Sequence, residues 1–206
     1  MDAVTLAAEL DRQISTLVDR GYPDLAGLDL SAFCAYVDPL HDLLDGLPAP
    51  TGSNFPFVLV VTAALVPTVA AVERIDVRGK QGWTDMHDEL GGYRPIGGVD
   101  VPDSPVYLLA DVSTGPETLD VRPNDALPMI EAAGRTPLTV DEGVALATQF
   151  PELFAERNAF QALGSRTDNK RVPSFWVSKG APRLGWCWAG NPHSWLGAGS
   201  AAARIG

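Results

Sequence analysis

Leu6, Leu10, Ile14, Leu17 and Val18 recur at spacings of three and four residues, which lines one face of a helix. Gly21 and Pro23 end that pattern. Ser31 to Val37 predicts a second, short helix with Phe33, Cys34 and Val37 on its buried side and Pro39 as its stop. Residues 45–56 hold three prolines and two glycines, the composition of a surface connection. Phe57 to Val61 is continuously apolar and branched, so it reads as a strand buried on both faces.

The pattern then weakens. Val72 to Val77 predicts an edge strand before Gly79, and residues 79–105, rich in glycine and proline, predict a long ordered loop. Val106 to Val112 is a second apolar strand, broken by Gly115-Pro116, with Thr118 to Val121 as its expected hairpin partner. Asp125 to Ala133 predicts a helix closed by Gly134. Thr139-Val140-Asp141-Glu142 has the form of a capping box, in which threonine oxygen and glutamate carboxylate each accept an amide of the other's residue. Pro151 is expected to open a further helix that buries Leu153, Phe154, Phe160 and Leu163 and stops at Gly164. Val172–Ser178 and Leu184–Trp188 read as two closing strands.

Helices, strands, helices and strands in that order suit a mixed α+β fold better than repeated βαβ units. The expected organisation is a single domain over 1–206, with a helical N-terminal part (1–44), a mixed body with a central sheet (57–206), and a β-rich closing segment. A chain of 206 residues, 46% hydrophobic, can bury such a core. The apolar run Phe55–Ala71 is broken by Pro56 and Pro67 and is marginal for a membrane span, so no membrane is expected. No secretion signal is read at the N-terminus, and the expected location is cytoplasmic.

Charge adds a contrast that hydropathy does not show. Residues 1–165 carry nine Lys+Arg against twenty-five Asp+Glu, whereas residues 166–206 carry six against one. The same tail holds Trp176, Trp186, Trp188 and Trp195, four of the five tryptophans. The chain's formal charge of −11 disfavours nucleic acid as a partner. Arg166, Lys170, Arg171, Lys179 and Arg183 offer forks and point charges for a small anion, with the four tryptophans and Asn191 as further ligand-binding candidates. The alternative is that these cations pair with the acids elsewhere in the chain. In the strand 184–188, Leu184, Trp186 and Trp188 share one side and Gly185 and Cys187 the other, so the indoles and the thiol cannot serve one site without a bend.

Cys187 and His193 are the candidate catalytic pair, a thiol with a base to activate it. Cys187 sits in no nucleophile motif, and an inert buried cysteine is the alternative. Asp85, His87 and Asp88, or His41 with Asp42 and Asp45, form no metal-ligand motif, so neither metal nor cofactor is expected. The glycine pairs lead into no phosphate-cradling Lys-Ser or Lys-Thr.

The strings GRTPLTVDEGVALATQFPELF and LGSRTDNKRVPSFWVSKGAPRLGWCWAGNPHSWLG, with FPFVLVVTAALVP and VYLLADVSTGPETLDVRPNDALP upstream, resemble an actinobacterial family known only as domain of unknown function 5701. The resemblance runs from about Tyr22 to Arg204. It implies a bacterial, cytoplasmic protein and carries no catalytic residue or cofactor with it.

Three functions remain open on the residues. The first is non-catalytic binding of a small anionic ligand or an acidic protein segment through the Trp/Arg-rich tail. The second is a thiol-dependent hydrolase or transferase using Cys187 and His193. The third is a structural or oligomerisation module, with the oligomeric state itself unread.

Overall fold

The computed structural model describes residues 3–154 and 159–206. The chain opens with helices α1 (Ala3–Asp19), α2 (Tyr22–Ala26) and α3 (Leu30–Val37), followed by a 3₁₀ segment over Asp38–Gly46. Strand β1 (Phe55–Val61) leads to α4 (Thr68–Val72), the short strands β2 (Asp76–Val77), β3 (Lys80–Gln81) and β4 (Trp83–Thr84), then α5 (His87–Leu90) and β5 (Arg94–Pro95). Strand β6 (Val106–Val112), helix α6 (Pro123–Ala132), β7 (Thr136–Pro137) and α7 (Val140–Gln149) follow. The remainder is β8 (Ala159–Gln161), β9 (Ser165–Arg166), β10 (Arg171–Ser178), β11 (Ala181–Trp188), β12 (Leu196–Ala198), β13 (Ser200–Ala201) and β14 (Ala203–Ile205). The fold is mixed α+β, with helices gathered at the N-terminus and strands at the C-terminus.

Two sheets organise the molecule. One is antiparallel with order β1-β6-β14, and the other has five strands in the order β12-β8-β10-β11-β4. Helix α7 packs on β1 of the first sheet and on β10 of the second. All of it except Asp141 is buried, including Glu142. Gly143 is what lets it approach, because a Cβ there would collide with the Phe175 ring of β10. The capping box forms as its spacing requires: Thr139 N donates to Glu142 Oε2 at 2.7 Å, and Glu142 N donates to Thr139 Oγ1 at 3.4 Å.

Helix α1 covers the open edge of β1. Gln13, fully buried, donates its amide to Phe57 O (3.1 Å) and accepts from Leu59 N (2.6 Å), so the edge strand's free backbone groups are satisfied by a side chain. At the other end, β10 and β11 close as a two-residue hairpin. Lys179 (φ 56°) and Gly180 (φ 76°) are both left-handed, the geometry whose twist matches the flanking strands.

Several local expectations are corrected. Val72 ends a helix, α4, instead of opening an edge strand; Thr68 anchors it by donating to Asp141 at 2.8 Å. Pro39 does not stop the helical head, which tightens into the 3₁₀ segment with Pro39 in its first turn. Residues 79–105 contain β3, β4, α5 and β5, held by distant partners. Thr118–Val121 is no hairpin partner: β6 pairs with β1 and β14. Pro151–Phe154 forms one 3₁₀ turn and Phe160 belongs to a strand, β8, while part of the helix expected there falls on 155–158, outside the described residues.

Candidate functional site

The β10–β11 hairpin sorts the tail's aromatic and basic residues onto two faces. Arg171, Pro173 and Phe175 lie opposite Trp188, Trp186 and Leu184, and Val172, Ser174 and Trp176 lie opposite Cys187, Gly185 and Arg183. The first face looks toward α7. Leu184 is buried, Trp186 packs against the core, and Trp188 is exposed at the end. The strand alternation therefore holds, with the indole side turned inward for all but its last member.

Three of the tail's arginines are engaged by carboxylates. Arg183 bonds Asp85 at 2.6 Å, Arg171 pairs with Glu89, and Arg204 bonds Glu142 at 2.5 Å. The pairing with Arg183 holds Asp85 below the usual carboxylate range. Aromatic faces complete the same settings. Arg183 lies between the rings of Trp83 (4.6 Å) and Trp176 (4.8 Å), and Arg171 lies over Trp186 (4.2 Å). Trp83 sits directly beside Arg183 because β4 joins the sheet parallel to β11. Trp176 lies close against Gly185, where any Cβ would strike its ring.

The remaining candidates are outlying. Lys179, in the hairpin turn, stands 5.4 Å over Trp83, while Lys170 and Asn191 are exposed. Trp195 is exposed and meets Trp176 edge-on at 6.1 Å and His193 at 5.5 Å. Cys187 is partly buried on the opposite face to Trp186. Burial pushes its thiol up, against a bond with Ser174 and the field of Arg183. Among the described residues no hydrogen bond joins Cys187 to His193.

Arg166 has a different environment. It occupies β9, which pairs antiparallel with β5 so that Arg94 and Arg166 stand directly opposite each other. Opposed residues on neighbouring strands project from the same face, and like charges there repel. Both guanidiniums are tied down in the same way. Arg94 Nη1 donates to Gly91 O (2.7 Å) and Tyr93 O (2.8 Å); Arg166 Nη1 donates to Leu163 O (2.9 Å) and Ser165 O (3.0 Å). Neither has a carboxylate partner among the described residues.

The two arginines line a groove of about 640 Å³ with Gly92, Pro95, Ile96, Thr167, Asp168 and Asn169. Burial lowers the Arg166 pKa, which only Tyr93 opposes, yet an arginine remains charged at any physiological pH. The hydroxyl of Tyr93, the residue before Arg94, is buried and has no hydrogen-bond partner among the described residues. Burial, then the Glu89 charge, push it up to about 12, while Arg171 and Arg166 pull the other way. Asp168, exposed on the groove, is its one acidic lining residue.

Of the sequence-derived candidates, then, the structure brings Trp176 and Arg183 together with Trp83, and Arg171 together with Trp186. It sets Arg166 apart from both groups. Sequence reasoning missed Arg94, Tyr93 and Trp83, whose roles come from partners far along the chain. No local spacing signals them.

A mixed α+β fold with a helical head, a central buried helix and a basic groove is thus defined by the structure alone. The chain belongs to the family described as a family of unknown function (DUF5701), whose model matches residues 16–206. No curated protein and no solved structure matches it. No helix among the described residues is long and apolar enough to cross a membrane, and no group of three or more His, Cys, Asp or Glu among them could hold a metal ion.

Proposed function

We propose that this protein is a non-catalytic binding module that takes a small anionic ligand in the groove between Arg94 and Arg166. The observation that carries the reading is the direct opposition of two arginines across β5–β9 with no carboxylate among the described residues to neutralise them. Every other tail arginine has such a carboxylate, so the exception is local and not a property of the tail's composition. Arg94 is exposed, but Arg166 is partly buried, and an unneutralised cation there costs free energy that an anion in the groove would recover. The groove is open and mixes the two guanidiniums, Thr167, Asp168 and Asn169 with the apolar Pro95 and Ile96, which suits a soluble ligand of modest size.

This reading narrows the anion-binding expectation to Arg166 and adds Arg94. It gives Arg171, Arg183, Trp176 and Trp186 a supporting role, since they are already occupied by one another and by Glu89 and Asp85. The thiol-dependent alternative draws no support from Cys187, whose burial disfavours the thiolate that such chemistry needs. The reading treats residues 1–206 as one domain, supported by the packing of α1 on both β1 and α7.

The test is thermal unfolding with rising concentrations of phosphate, citrate and sulfate, cross-checked by calorimetry. A ligand that binds only the folded state raises the melting temperature with its concentration. At least one anion should do so for the wild type, and the Arg94→Ala/Arg166→Ala variant should lose the response while still unfolding cooperatively. An equal response from the double variant, or none from the wild type, would overturn the proposal.

A further inference from the structure

The way the two arginines are tethered says more about what they take. Each spends Nη1 on two backbone carbonyls, those of the residue three before and the residue one before it. That choice leaves the Nε–Nη2 edge of each guanidinium, the edge that binds two oxygens side by side. Both arginines line one groove from directly opposed strand positions. Together they present four N–H donors and a charge of +2.

A single carboxylate has two oxygens and one negative charge, enough for one fork. A diester phosphate also has two free oxygens and one charge. A phosphate monoester has three terminal oxygens and close to two negative charges above its second pKa of about 6, enough to satisfy both forks with one oxygen shared. Thr167 supplies a hydroxyl on the same groove. Asp168, the acidic lining residue, would repel a second anionic group and accept a hydrogen bond from a neutral, hydroxyl-bearing remainder. We infer that the groove's ligand class is the monoester dianion of a small hydroxylated phosphate compound, an inference that rests on the anion-binding reading above.

The experiment uses calorimetry on the full chain at pH 8 with three probes: glycerol 1-phosphate, dimethyl phosphate and acetate. Glycerol 1-phosphate should bind at least tenfold more tightly than either monoanion. Comparable binding of all three would overturn the dianion assignment while leaving an anion groove in place. Absence of binding by every probe would overturn both. Arg94→Lys and Arg166→Lys keep each charge and remove each fork. Each should weaken glycerol 1-phosphate at least tenfold with an unchanged melting temperature, and wild-type affinity in both variants would overturn the fork assignment.

Discussion

Arg204 donates to both carboxylate oxygens of Glu142, through Nε at 2.5 Å and Nη2 at 2.8 Å. The pair is almost sealed, with the Glu142 side chain 0% exposed and that of Arg204 6%. Glu142 also accepts from Tyr107 Oη and Thr139 N, each at 2.7 Å, while Arg204 reaches Thr136 Oγ1 and Pro137 O. The N-terminal cap of α7 is thereby bonded to β6 and to β14 at the far end of the chain.

Breaking one partner of so buried a pair leaves a charge without compensation, so Arg204→Ala should cost about 3–5 kcal/mol of unfolding free energy. Arg204→Met with Glu142→Leu should recover only part of that loss. The apolar pair removes the buried charge but leaves the Tyr107 hydroxyl and the Thr139 amide without their acceptor. Urea denaturation measures both, and a loss under about 1 kcal/mol for Arg204→Ala would show that the pair does not anchor α7.

Asp111 governs a second, acid-sensitive anchor. Burial acts to raise its carboxyl, but bonds from Thr51 N, Asn54 and Arg135 outweigh burial and hold it below the usual range. A carboxyl lowered on folding contributes stability above its unfolded value of about 3.9 and loses it as pH falls through the lower folded value. Asp111→Asn should therefore reduce stability at pH 7 and flatten its decline below about pH 4. Asparagine is the suitable replacement because residue 111 has φ 50°, a left-handed conformation that Asn tolerates. Chemical denaturation between pH 2 and 7 reads the effect; a decline as steep as in the wild type would assign the acid sensitivity elsewhere.

For Cys187 the expected outcome concerns reactivity. Burial raises its thiol, so in a Cys34→Ser background its reaction with a disulfide reagent should titrate above the free-cysteine value of roughly 8.5. Denaturant should accelerate it. A fast-reacting thiol at pH 7 would revive the nucleophile reading and give His193 new interest.

Elements whose signal is local were legible in the sequence. The three- and four-residue spacing in α1, the apolar runs of β1 and β6, and the 139–142 capping box all correspond to what forms. The alternation along β11 also read correctly, separating Cys187 from Trp186. Failures fall where packing overrides local preference. Val72 to Val77 reads as an edge strand, yet Val72 closes a helix that packs on α7 and bonds Asp141, and only Asp76–Val77 pairs as a strand. Phe160 kept a helical spacing with Leu153 but stacks on Phe175 from a strand.

The sequence by itself determined that a basic, indole-rich tail exists and that its two strand faces are distinct, because charge is additive and side-chain alternation is a property of any extended backbone. Only the tertiary structure decided which cations are free. Glu89, Asp85 and Glu142 reach Arg171, Arg183 and Arg204 across long stretches of chain, and β5 brings Arg94 opposite Arg166. Such pairings depend on the path of the folded backbone, which no local periodicity encodes.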